Sequence, residues 1–264
     1  MKTSRALPLL LLVPCSCASL PDRGRIEKHD ATAFYATTAF LGAAFSSDKE
    51  RLLITSDESG TFNAYVLDIG SGKSTRLTHS STDATFAVDW VPGSEGFLFT
   101  ADQGGNELNH LFVQNAAGAA VDLTPGDDLK ASFIGWHDDQ RSFFVATNER
   151  DPRYFDFYHY SISGAVEDEG SEEIAPGFQR RLLYQNPGGY ELSGVSRDGA
   201  WVAMTKVRNN ADSDVYLSPT SRPGELVHVT PHQGDVQHDF AAFSPDGRTL
   251  YYTSDEGGEF ARVW

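Results

Sequence analysis

One short pattern returns five times along this 264-residue chain, and no other feature restricts its fold so strongly. The pattern is a β-like run, a polar turn and a second β-like run. It reads AAFSSDKERLLITSDESG at 43–60, VDWVPGSEGFLFTADQGG at 88–105 and FIGWHDDQRSFFVATNERD at 133–151. It returns as SGVSRDGAWVAMTKVRNN at 193–210 and AAFSPDGRTLYYTSDEGG at 241–258. Aligned on Asp48, Gly93, Asp138, Asp198 and Asp246, the turns lie 45, 45, 60 and 48 residues apart. A third run follows each unit: FNAYVLD (62–68), LNHLFVQ (108–114), FDFYHYS (155–161), SDVYLSP (213–219) and EFARVW (259–264). Most units then close with a fourth run, ending in Arg76-Leu77-Thr78, Asp122-Leu123-Thr124 and His228-Val229-Thr230.

Four short strands per unit of this length predict an all-β fold, a β-propeller of four-stranded antiparallel blades. One such sheet cannot cover both of its apolar faces, so each must stack on the next. The first run of a unit is small and apolar, as in Ala43-Ala44-Phe45 and Ala241-Ala242-Phe243, which suits a crowded centre. In Ser244-Pro245-Asp246-Gly247, Pro presets φ, Asp bonds local backbone and Gly accepts positive φ. No stretch keeps a 3.6-residue apolar period, so helix should be scarce. The expected blades are about 39–80, 82–126, 127–186, 187–234 and 235–264, the last incomplete. About four and a half blades leave strand edges open, which suggests a truncated gene product or a fragment of a longer chain. Residues 164–173 (GAVEDEGSEE) read as an acidic surface loop that lengthens the third unit.

The first residues belong to a different class of segment. Lys2 and Arg5 precede a short apolar run, Leu7–Val13, and Ser16-Cys17-Ala18 fits a small-x-small cleavage site. Residues 1–18 therefore read as a secretory signal peptide, and 19–38 as a linker or arm. Cys17 is a candidate for lipidation. Both cysteines lie in this segment, so no internal disulfide and no thiolate metal site are expected beyond it. The expected location is periplasmic or extracellular. No other apolar stretch approaches the length of a membrane span.

The formal net charge of −16 argues against nucleic-acid binding, which needs clustered Lys and Arg. Several local patterns carry no chemistry. Gly70-Ser71-Gly72-Lys73-Ser74 lacks the upstream Gly and following helix of a phosphate loop, and reads as a strand-to-strand turn. His228 and His232 are four apart but straddle Pro231. His232 and His238 could meet an acid such as Asp235 or Asp239, yet they read better as polar loop residues. No metal and no cofactor are expected. The acid pairs Asp127-Asp128 and Glu172-Glu173 read as solvated loop residues.

Three strings are more specific. Thr100 to His110 (TADQGGNELNH), Ala146 to Pro152 (ATNERDP) and Ser244 to Phe260 resemble the propeller of the prolyl-oligopeptidase family of serine peptidases. The similarity, to secreted bacterial dipeptidyl- or acylaminoacyl-peptidase-like members, covers about residues 26–264. It implies a propeller that restricts access of short peptides to a partner α/β-hydrolase domain. That domain carries a Ser-Asp-His triad, with its Ser in a Gly-x-Ser-x-Gly elbow. The nearest match here, Gly194-Val195-Ser196-Arg197-Asp198, has Asp for the second Gly and sits at a blade turn. Ser196 is therefore a turn residue, and no catalytic residue is expected in this chain. A stand-alone periplasmic interaction propeller of the Tol-system type is the alternative reading.

In a four-stranded meander, the turn after strand two and the link to the next blade share one face. The longer loops fall there: Ser56–Gly60, Asp102–Asn109, Asn148–Arg153, Arg208–Asp214 and Asp255–Glu259. Glu149, Arg150, Asp151, Asn106, Glu107 and Glu259 are the candidates for contact with substrate or with the hydrolase domain. A carboxylate pairs with a peptide amino group, and an Arg forks onto a carboxylate or carbonyl. The competing role for Glu149, Arg150 and Asp151 is a local network that braces the loop.

Overall fold

The computed structural model of the protein describes residues 29–162 and 170–264. The proposed signal peptide and Cys17 lie outside the described residues. The chain divides into two units, 1–37 and 38–264. The described part of the first holds one short helix, α1 (Ala31–Tyr35), capped by Asp30 accepting from the Ala33 amide.

The second unit is a partial β-propeller built from antiparallel meanders. The first sheet holds β1 (Phe40–Phe45), β2 (Arg51–Ser56), β3 (Asn63–Asp68) and β4 (Ser74–Arg76). The second holds β5 (Thr85–Trp90), β6 (Phe97–Ala101), β7 (His110–Gln114) and β8 (Ala120–Asp122). The third holds β9 (Ala131–Trp136), β10 (Ser142–Asp151), β11 (Tyr154–Ile162), β12 (Glu172–Ala175) and β13 (Phe178–Tyr184). The fourth holds β14 (Glu191–Val195), β15 (Trp201–Asn209), β16 (Asp212–Pro219) and β17 (Val227–His228). The fifth has β18 (His238–Phe243), β19 (Leu250–Ser254) and β20 (Arg262–Val263).

The third sheet departs from the four-strand expectation. Its order is β12-β13-β11-β10-β9, so β13 is the fourth strand and β12 adds a fifth outside it. Glu172 and Glu173 therefore lie on a strand and not in a loop. Glu172 accepts from Arg180 Nε on β13 at 2.8 Å, which pins the added strand. The extra strand covers an edge whose amides would otherwise face solvent.

Four of the five first turns share one geometry. The amides of Lys49, Gln140, Gly199 and Gly247 donate to the carbonyls of Ser46, His137, Ser196 and Ser244. The same four residues have φ of 61°, 55°, 66° and 67°. Gly takes this left-handed conformation freely, whereas Lys49 and Gln140 carry a strain of about 1 kcal/mol each. Asp139, not Asp138, fills the position of Asp48, accepting from the Arg141 and Ser142 amides at 2.7 and 2.9 Å. Asp138 instead pairs with Arg197 of the next sheet. The Gly70–Ser74 segment is a hairpin turn, with the Ser71 amide donating to Asp68.

The core is divided among the sheet interfaces. Leu53, Ala64, Trp90, Phe97 and Phe99 fill the space between the first two sheets. Along β10, Phe143 and Val145 point toward the second sheet, while Phe144 and Ala146 point toward the fourth. This alternation is the period-two signature of a strand covered on both faces. At the contact of the fourth and fifth sheets, Gly194 lies so close to the Phe240 ring that a Cβ would sit 2.7 Å from it. Polar groups join the same two sheets. Ser213 Oγ donates to the His238 carbonyl and accepts from its amide, both at 3.0 Å.

Candidate functional site

The loops after the second strands and the links between sheets are hydrogen-bonded to each other. The Gly104 amide donates to Asp83 Oδ1 at 2.9 Å, the Ala131 amide to the Asn109 carbonyl at 2.8 Å, and Gln237 Nε2 to the Asn210 carbonyl at 2.9 Å. They form one continuous face, as the meander topology requires.

The β10–β11 hairpin carries three candidates at its tip, and each is engaged inside the protein. Glu149 accepts from the Tyr158 hydroxyl and from Arg180 Nη1, both at 2.8 Å. Arg180 lies over the Tyr158 ring at 4.8 Å. Burial and then the Glu149 carboxylate push the Tyr158 phenol up, while burial pushes Tyr160 up to about 12. Arg150 forks onto Asp156 at 2.6 and 2.7 Å and donates to the Asn186 carbonyl at 2.8 Å. Asp156 is 1% exposed and also accepts from the Asn186 amide. Arg150 thus ties the hairpin to the link that leads into the fourth sheet. Asp151 accepts from the Arg153 amide and side chain, and these bonds pull its carboxyl down to about 2. The geometry of all three is that of a brace.

The other candidates are exposed. Asn106 Oδ1 accepts from the amides of Gln103 and Leu108 and shapes its own turn. Glu107, with a φ of 60°, and Glu259 are both exposed. The structure does not bring Asn106, Glu107 and Glu259 together with the hairpin triad into a single cluster of contacts.

A second constellation on this face differs from the sequence expectation. His232 and His238 are not solvated loop residues: each side chain is 2% exposed, with the rings 4.9 Å apart. Asp235 and Asp239 are exposed, and the acid that meets the pair is Asp214 on β16. Ligand-type atoms of Asp214, His232 and His238 all lie within 4.8 Å of one another. Asp214 Oδ1 also faces His228 Nε2 at 2.7 Å. Burial pushes the Asp214 carboxyl up, but the His228 bond and the charges of Arg208 and His232 outweigh it and hold it low.

Asp156 and Asp214 escaped sequence reasoning, yet a signal exists. Third strands aligned residue by residue place Asn63, His110, Asp156 and Asp214 at one position, and all four are buried. Ser196 is buried too. Its hydroxyl donates to Asp198 at 2.6 Å and accepts from the Trp201 amide at 2.9 Å, a turn geometry repeated by Ser244. A cavity of about 470 Å³ runs beside the first strands β9, β14 and β18, away from the loop face.

No family model and no curated protein matches the chain. Solved structures do. A prolyl endopeptidase superposes with a TM-score of 0.60 and 17% identity, over 86% of this chain and 34% of its own. Dipeptidyl peptidase 4 of Porphyromonas gingivalis gives 0.57 and 14%, over 85% and 37%. TolB of Acinetobacter baumannii gives 0.50 and 18%, over 83% and 49%. The chain thus spans about a third to a half of these proteins, and the likeness establishes the propeller fold. Among the described residues, no helix is long and apolar enough to cross a membrane.

Proposed function

We propose that the chain is the propeller region of an exported serine peptidase of the prolyl-oligopeptidase type, controlling access of short peptides to a partner α/β-hydrolase domain. The observation that carries this reading is the superposition on a prolyl endopeptidase over 86% of the chain at a TM-score of 0.60. The TADQGGNELNH and ATNERDP strings, both on the loop face, support it. In this reading Asn106, Glu107 and Glu259 meet the peptide or the hydrolase domain. Glu149, Arg150 and Asp151 hold the hairpin at the height that such contact needs. A second reading, a stand-alone TolB-like propeller, rests on the TolB superposition, which spans more of that protein, 49%, than of the peptidases.

Reading the coding sequence past Trp264 separates the two: an in-frame hydrolase domain with a Gly-x-Ser-x-Gly elbow supports the first. In a protein carrying both parts, Asn106→Ala and Glu107→Ala should raise KM for short chromogenic peptide amides and leave Tm nearly unchanged. Arg150→Ala should lower Tm by several degrees, because it strips the buried Asp156 of its counter-charge. The chain alone should not hydrolyse these amides. Turnover by the chain alone that disappears in Ser196→Ala would overturn the turn role of that serine.

A further inference from the structure

We infer that Asp214, His232 and His238 form a binding site for a divalent cation of the zinc class, bridging the fourth and fifth sheets on the loop face. The inference is independent of the peptidase reading, since it uses only the side chains at this junction.

Donor type and placement support it. Two imidazoles and one carboxylate, each with a ligand atom within 4.8 Å of the others, are the mixed nitrogen and oxygen set that zinc prefers. The three come from different pieces of backbone: β16, the link after β17, and the first residue of β18. Local bonds set the rings. His238 Nδ1 lies 3.2 Å from the Ser213 carbonyl, so it carries the proton and leaves the Nε2 lone pair for a metal. That Nε2 points toward Glu256 with 3.9 Å between nitrogen and oxygen, too far for a hydrogen bond. His232 Nδ1 lies 3.0 Å from the Thr230 carbonyl and 3.2 Å from Asp214 Oδ1, and its Nε2 lies 3.2 Å from Asp212 Oδ1, so a carboxylate faces each ring nitrogen. His228, in contact with Asp214, sits where metal sites place the partner that orients a carboxylate ligand.

The charge pattern agrees. Asp212 and Asp214 are buried, and Glu256 is at the rim. The cation that now faces both aspartates is the Arg208 guanidinium, which is 44% exposed. The buried Asp214 Oδ2 is paired with Arg208 Nη2 and accepts no hydrogen bond, so a metal there competes with the guanidinium. Arg208 therefore acts as a displaceable counter-ion over the entrance. When the metal binds, Arg208 swings out, and the proton on whichever His232 nitrogen becomes the ligand is released to solvent. The polar junction between these sheets gains a cross-link of the kind that metal supplies to small folds.

The test uses the full chain with Cys15→Ser and Cys17→Ser, so that no thiolate competes, stripped with a chelator and titrated with zinc against a chromophoric indicator. The expected result is one zinc per chain with micromolar or tighter affinity, and a rise in Tm on loading. His238→Ala and Asp214→Asn should each weaken binding about 100-fold or more, beyond the loss typical of an outer-sphere partner. Arg208→Ala should tighten it. Cobalt substitution of the otherwise unaltered protein gives an independent reading if a ligand variant fails to fold. A tetrahedral d–d spectrum supports the site, and an aquo-ion spectrum overturns it. Absence of stoichiometric zinc, affinity unchanged in folded His238→Ala and Asp214→Asn, or weaker binding by Arg208→Ala each overturns the inference.

Discussion

A threonine hydroxyl closes three of the sheets at the same point. Thr78, Thr124 and Thr230 each accept from the amide of Ala64, Leu111 or Val215 at 2.8 to 2.9 Å, just past the buried polar residue near the start of the third strand. Two of them also donate to that residue: Thr78 to Asn63 at 2.9 Å and Thr230 to Asp214 at 3.4 Å. A main-chain amide that the ladder leaves open thus finds a side-chain acceptor where water cannot reach. In the third sheet Asp156 reverses the direction, accepting from the Asn186 amide at 2.8 Å. Thr124 is fully buried, so Thr124→Val preserves shape but orphans the Leu111 amide. It should cost about 1–3 kcal/mol in urea unfolding, with an unchanged m-value.

At the scale of elements, the first turns make stability depend on acid. Asp48, Asp198 and Asp246 accept from Ser46, Ser196 and Ser244, and these bonds hold all three carboxyls below the ordinary carboxylate value of 3.8. Asp151 is held at about 2 by Arg153. A carboxyl whose folded pKa is depressed contributes stability above its unfolded value and loses it as pH falls through the folded value. Melting temperature should therefore stay level from neutral pH to about 5 and fall from about 4 toward 2 with respect to these groups. Asp198→Asn should lower Tm at neutral pH and shrink the acid-dependent drop. An equal drop in the variant would show that the turns do not set it.

For the whole molecule, the basic n-region, the short apolar run and Ser16-Cys17-Ala18 at the start of the chain predict its export. Expressed in full in a Gram-negative host, it should be recovered from the periplasm cut near Ser16-Cys17-Ala18. Intact mass gives the outcome: a cytosolic pool retaining Met1 contradicts export, whereas a lipid-shifted mass abolished by Cys17→Ser identifies Cys17 as the anchor. The sheets beyond that start stack in chain order, with three buried apolar clusters lying successively between the first and fourth sheets. The junction with the fifth sheet relies on His238, Ser213 and their neighbours as well as on Phe240, which makes it the place where a polar ligand can act on the fold.

Alternation of apolar residues and recurring polar turns, two of them Ser-x-Asp-Gly, determine strands, meanders and the stacking of sheets, because both act over a few neighbouring residues. They therefore make the all-β propeller and the position of the loop face legible in one chain. Glu149, Arg150 and Asp151 are legible as a charged tip, and the bracing alternative is visible too. What they brace is not, because Arg180 and Asn186 come from 31 and 36 residues away. The fifth strand β12 is decided the same way, by the Arg180 that faces Glu172 across the sheet. Asp214 stands 24 residues before His238 in the sequence, and side-chain chemistry alone gives no reason to pair them. Stacking of the fifth sheet on the fourth brings them into contact, since a propeller places the first strand of one blade against the third strand of the last.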